Sequence, residues 1–174
     1  MNKIKVKDIT LIAMMVAVIE VCKIALASIP NVELTSFWII IFSLYFKRKI
    51  YLVIVVFILI EGLMYGFGTW WIMYLYVWPL LAFVTMKLKD CDSSSTWAII
   101  SGVFGLLFGL FCSLPYFVIG TIGGSLVNGI KTAFAWWVAG IPWDIVHGIS
   151  NIIIMFILYY PITKVMKMAQ YRIE

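Results

Sequence analysis

The sequence predicts an all-α membrane protein, a compact bundle of six transmembrane helices with N- and C-termini cytoplasmic. Three observations carry that expectation. Of 174 residues, 64% are hydrophobic and 12% charged, where a soluble domain carries roughly a quarter charged residues. Apolar runs of helix length recur along the chain, bounded by charge, Pro or Gly. Basic residues gather in every second connection between those runs, the pattern of a chain that starts and ends in the cytoplasm.

The runs fall at 8–28, 33–46, 50–66, 70–87, 96–118 and 142–166. A hydrocarbon core takes ~20 apolar residues per helical crossing, so residues 1–174 are expected to form a single integral membrane domain of about six crossings. Helices are required because lipid cannot satisfy backbone polar groups, and no run alternates like a barrel strand. The first run follows Lys3, Lys5 and Lys7 and ends in Ala25, Leu26 and Ala27, like a signal peptide with its cleavage site. Glu20, Cys22 and Lys23 interrupt it where a signal peptide is most apolar, so a retained first helix is expected. The second run is short, but Lys47, Arg48 and Lys49 follow it, which argues that it crosses. Gly66, Phe67, Gly68 and Thr69 leave room only for a tight external turn between the third and fourth runs. Lys87 and Lys89 follow the fourth run, and Lys164, Lys167 and Arg172 follow the sixth. The intervening connections, around 29–33, 67–69 and 119–141, hold one basic residue, Lys131. The long connection 119–141 has a flexible Gly120–Ser125 stretch, then an apolar segment with Trp136 and Trp137, and is read as an interfacial helix or a lid.

The formal charge of +5 sits in clusters at the ends of apolar runs and reads as topology, with no nucleic-acid partner. Cys22, Cys91 and Cys112 lie far apart without metal-type spacing, so free thiols are expected. One histidine cannot build a multi-histidine metal site, and no HExxH or GxSxG motif occurs. Gly124 to Thr132 resembles a phosphate-binding loop, but Ile130 separates its glycine from its lysine. No cofactor and no catalytic residues are expected.

Polar groups inside a bilayer are costly, and each is a functional candidate. Glu61 lies one turn before Tyr65 in the third helix; Tyr74 and Trp78 share a face of the fourth, with Trp71 nearby. Asp144, His147 and Asn151, at i, i+3 and i+7, form one stripe of the sixth helix. These residues are expected to converge in the outer half of the bundle beneath Trp136, Trp137 and Trp143. They would make an aromatic-walled pocket for a flat heterocycle, with Glu61 or Asp144 meeting a cationic or amino group. The alternative is structural: tryptophans in an aromatic belt, Asp144 capping its helix after Pro142, and His147 and Asn151 bridging helices. Glu20 and Lys23, at i, i+3, are expected to neutralise each other, with ligand contact as the alternative. Asn31 and Glu33 after Pro30 form either a pocket rim or a solvated turn. The small-residue rows Ala13/Ala17, Gly62/Gly66 and Ser101/Gly105/Gly109 allow close helix approach.

The chain resembles the substrate-binding S components of energy-coupling factor (ECF) transporters, the ABC-type vitamin-uptake systems of prokaryotes. The resemblance covers nearly the whole chain. It rests on the six-helix plan with termini inside, the A-x-x-x-A of Ala13 and Ala17, the I-P-N-V-E-L stretch at 29–34 and the P-W-D-I-V-H-G-I-S-N run at 142–151. It implies a multi-pass protein of the prokaryotic cell membrane that captures a vitamin or precursor, thiamin-related as a first guess, and delivers it inward. Ala13 and Ala17 would dock on a transmembrane coupling subunit carried by two cytoplasmic ATPases. Two features depart from the pattern: Glu20 falls on nearly the same stripe as the two alanines, and the fourth helix lacks the thiamin-binding pattern. Two rival readings follow from the residues, an intramembrane lipid- or prenyl-modifying enzyme using Glu61, Asp144 and His147, and a stand-alone facilitator.

Overall fold

The computed structural model describes residues 5–173, with side chains to residue 170; Lys3 and the side chain of Arg172, both expected to mark topology, lie outside the described residues. Every element among the described residues is helical. The order is α1 (Val6–Leu26), α2 (Thr35–Phe46), a 3-10 turn (Lys47–Lys49), α3 (Ile50–Tyr65), α4 (Thr69–Lys87), α5 (Ser94–Leu106), α6 (Phe108–Cys112), α7 (Leu114–Ile122) and α8 (Leu126–Ile173).

Local chemistry sets several boundaries. Asp8 accepts the Lys5 N–H at 3.1 Å at the start of α1, and Ser93 Oγ accepts the Thr96 N–H at 3.4 Å at the start of α5. Gly66 ends α3 at φ 87°, a left-handed conformation costly for other residues, and α4 begins three residues later, giving the expected tight turn. Helix α2 is apolar nearly all round and buries eight of its twelve residues. Such a helix belongs in an interior, and α2 packs against α1, α3, α4 and α8 as the central rod.

The basic connections collect at one end. Lys49 pairs with Asp8 at 2.6 Å, Lys167 lies 3.8 Å from Asp92, and Tyr45 donates to the Thr163 carbonyl at 3.2 Å. The outer flanks of the helices are as apolar as the core, with Met14, Val21, Leu59, Ile72, Phe83, Ile99, Ile153 and Phe156 all exposed. A surface so apolar is one that lipid or another protein covers. Three helices, within 6–26, 69–87 and 126–170, are long and apolar enough to cross a membrane, and a fourth crossing follows if 94–122 counts as one bent span.

Three boundaries differ from the sequence reading. Helix α2 starts at Thr35 and, at twelve residues, is about 18 Å long, short of the ~30 Å hydrocarbon thickness. The fifth run is not one rod: it breaks at Leu107 and Ser113, and Ser94–Leu106 meets the following segment at 42°. The connection 119–141 is not a loop. Only 123–125 turns; α8 then runs unbroken for 48 residues, about 72 Å, through Pro142 and Pro161. The cause is a seam of small residues along which α5, α6 and α7 lie antiparallel to α8. A Cβ on Gly105 would meet Gly148 Cα at 2.8 Å, and one on Gly120 would meet Gly129 Cα at 3.0 Å. That approach holds the helical hairpin together to its tip, so Gly120, which read as flexible, is a packing position, while Gly123 and Gly124 form the turn.

Candidate functional site

A cavity of about 440 Å³ lies at the end of the bundle away from the basic connections. Six segments build it: the end of α1 with Lys23, the connection 27–33, the end of α3 with Glu61 and Tyr65, the start of α4 with Trp70 and Tyr74, α6 with Phe108 and α8 with His147. Pro30 and Asn31 shape the first connection. Asn31 sits at φ 57°, which asparagine tolerates better than most residues. Its carbonyl accepts from Ser150 Oγ at 3.2 Å, tying the connection to α8.

Charge is concentrated on one wall. Glu61 is fully buried, and its Oε2 accepts from the Lys23 ammonium. The same ammonium lies 3.5 Å from Tyr74 Oη and 5.3, 5.5 and 5.8 Å from the ring centroids of Tyr74, Tyr65 and Phe57. Those distances are within cation–π range. Glu20 is buried beside Glu61. Both Glu20 carboxylate oxygens and Glu61 Oε1 lack a hydrogen-bond partner among the described residues. The expected Glu20–Lys23 pair is therefore replaced by Lys23–Glu61, because the lysine stem reaches across from α1 to α3 into a ring of aromatic faces. Glu20 also turns inward while Ala13 and Ala17 are exposed, so the charge does not interrupt the alanine row.

The opposite wall is milder. His147 Nε2 lies 3.6 Å from Glu33 Oε1 and 3.5 Å from Ser36 Oγ, and its ring meets Phe108 edge-on at 4.9 Å. Glu33 Oε2 in turn accepts from Thr35 Oγ1 at 3.1 Å. Glu33 and Asn31 line the cavity.

Of the residues singled out in the sequence, Glu61, Tyr65, Tyr74 and His147 line this cavity, and Trp71, Trp78, Trp136, Trp137, Asp144 and Asn151 do not. Each displaced residue has a physical reason. Trp71 points back across the turn and donates to the Ile58 carbonyl at 2.8 Å. Trp78 is sealed in the core among Phe57, Tyr74, Phe104 and Phe108, at centroid distances of 5.3 to 6.4 Å. Asp144 accepts the Gly109 N–H at 2.9 Å, satisfying a backbone donor next to the break at Leu107. Asn151 donates to the Ser101 carbonyl at 3.1 Å, and Ser101 Oγ returns a bond to the Asn151 carbonyl at 3.2 Å. Trp136 stacks on Tyr116 at 3.8 Å within the helical arm, and Trp137 meets Phe134 there at 6.1 Å.

Lys23, for which ligand contact was the alternative expectation, lines the cavity, as do Trp70 and Phe108, which the sequence did not single out. Trp70 was legible: it is four residues before Tyr74 and shares its face, as does Trp71 three residues before, and spacing alone does not choose between them. Phe108 carried no signal, since its orientation depends on the break at Leu107. Together these groups form a partly enclosed, aromatic-lined recess with a buried ion pair on one side and an imidazole on the other, the make-up of a small-molecule site. No protein-family profile, curated protein or solved structure matches the chain.

Proposed function

We propose that this chain is the substrate-capturing S component of an ECF-type transporter in the prokaryotic cell membrane, binding a small vitamin or precursor in the cavity between α1, α3, α4, α6 and α8. One observation carries the reading: a recess of about 440 Å³ joins flat aromatic walls to Glu61, Lys23, Glu33 and His147 at a single end of a lipid-compatible bundle. That volume suits an aromatic heterocycle of vitamin size, and recesses of a few hundred Å³ are the usual scale of such sites. The basic connections at the other end support cytoplasmic termini and a cavity open to the outside. Six crossings follow if α2 and α3, though short, traverse within the shelter of their neighbours. Ala13 and Ala17 are exposed on α1, which supports docking there on a coupling subunit whose ATPases supply the energy.

The test is a titration of the detergent-purified chain against vitamins and precursors, thiamin-related compounds first, with tryptophan fluorescence as the signal; Trp70 lies in the cavity wall. Saturable change with one compound at submicromolar concentration is the expected result. Silence across the panel from a folded protein overturns capture. Ala13→Phe with Ala17→Phe should abolish co-purification with the coupling subunit and leave the titration unchanged.

A further inference from the structure

Around Glu61 two acidic side chains meet one ammonium. Glu20 and Glu61 are both buried, and three of their four oxygens have no hydrogen-bond partner among the described residues. A buried carboxyl without a cation keeps its proton, because the unpaired carboxylate is expensive in a low-dielectric interior. A second cation would relieve that cost, and the cavity opens onto the place where it would sit.

That place is already shaped for a cation, and Lys23 shows how. Its ammonium occupies a cage of Phe57, Tyr65 and Tyr74 with Glu61 at one side, the arrangement that selects substituted ammonium groups. The lysine side chain is 22% exposed, so the resident cation can be approached from the cavity. It also has somewhere else to go. Glu20 is three residues earlier on α1, at a spacing that brings side chains together on one helix face.

We propose that the cavity takes an organic cation, and that its charged nitrogen replaces the Lys23 ammonium on Glu61 and in the aromatic cage while Lys23 swings to Glu20. Empty, the site holds its own lysine as a stand-in ligand and leaves Glu20 unpaired. Loaded, two cations face two carboxylates. Binding and the lysine movement are one exchange, so affinity depends on Glu20 although Glu20 does not line the cavity. This deepens the capture reading by naming the chemical class of the substrate.

Tetramethylammonium is the probe, with sodium at equal ionic strength as the control, and the readouts are the thermal midpoint and tryptophan fluorescence of the detergent-purified chain. A ligand that binds only the folded state raises the midpoint, and the rise grows with the logarithm of its concentration over Kd. Lys23→Ala, which empties the cage, should bind the probe at least about tenfold tighter than wild type. Glu20→Gln should weaken the probe about tenfold in wild type, where the lysine then has no second partner, and change little in Lys23→Ala. Equal affinity in wild type and Lys23→Ala overturns the cage; an equal Glu20→Gln effect in both backgrounds overturns the exchange. Should Lys23→Ala fail to fold in sodium, recovery of folded protein in tetramethylammonium supports the proposal and lack of recovery overturns it. A vitamin bound by wild type while Lys23→Ala ignores the probe refutes the exchange and leaves capture standing. The probe result without any bound vitamin does the reverse.

Discussion

The cavity and the helical arm of α7 with the first part of α8 are both rich in aromatic residues, and they are built on different logic. At the cavity, Phe57, Tyr65, Trp70, Tyr74 and Phe108 come from three separate elements and surround buried charge. In the arm, Tyr116, Phe134, Trp136 and Trp137 come from two adjacent limbs and contact one another. The arm's exposed surface is largely aliphatic, including Val118, Ile119, Ile122, Leu126, Val127 and Ile130, with Phe134 and Trp136 exposed among them. Aromatic density alone therefore does not mark a site. What marks it is the arrival of several chain segments around polar groups that cannot be satisfied by their own helix.

The glycine seam joins the two regions, and breaking it should give the largest effect. A Cβ on Gly148 would meet Leu106 Cδ2 at 2.8 Å and the Gly102 carbonyl oxygen at 3.0 Å. Gly148→Leu has no vacant space to enter, and the main chains of α5 and α8 would have to separate. We expect a loss of about 3 kcal/mol, at the upper end of overpacking costs, seen as a lower thermal midpoint. His147 and Phe108 would move with it, so binding should fall as well. A variant with an unchanged midpoint would show that the hairpin has slack, and the argument that packing fixes the cavity wall would fail.

A change inside the cavity should separate the regions. Glu61→Gln keeps the size of the side chain and removes its charge, leaving Lys23 without its carboxylate partner. Charge-assisted hydrogen bonds contribute about 2 kcal/mol, so affinity for a captured cation should fall about 30-fold. The arm should keep its Tyr116–Trp136 stack. Isothermal titration of wild type and variant checks the first statement, and an unchanged affinity would move the substrate away from Glu61.

The sequence made much of this legible. Composition and run length were enough for an all-helical chain with membrane-compatible flanks, and the i+4 relation of Glu61 to Tyr65 and the stripe holding His147 pointed to cavity-lining residues. The remainder failed for specific reasons. Asp144 and Asn151 share the His147 stripe, but the broken α5–α6 partner offers a free N–H at Gly109 and a carbonyl at Ser101, and each side chain meets one of them. A periodic stripe records which residues face a neighbour, and it cannot say whether that neighbour is a helix or a cavity. The Lys23 partner was misjudged because i, i+3 spacing speaks only of α1, while the choice is made by α3 and by rings from three positions. Segment 119–141 read as a loop because its glycines suggest turns, and only the opposing glycines reveal a seam.

The smallest expected effect sharpens the contrast most. Trp136 stacks on Tyr116 with ring centroids 3.8 Å apart and planes 18° from parallel, yet it is 42% exposed and outside the cavity lining. Trp136→Ala should cost about 1 kcal/mol, the usual scale of an aromatic pair at a half-open position. Substrate affinity should not change, since the residue touches neither the ion pair nor the cage. If affinity instead fell as far as it does in Glu61→Gln, the arm would have to reach the cavity in the loaded state. The breaks at Ser113 and the proline at position 142 would then be its hinges, and the tryptophans would regain the covering role that their position in the sequence suggested. An unchanged affinity with a slightly lowered midpoint would leave the arm as packing, and confine recognition to the six segments around Lys23.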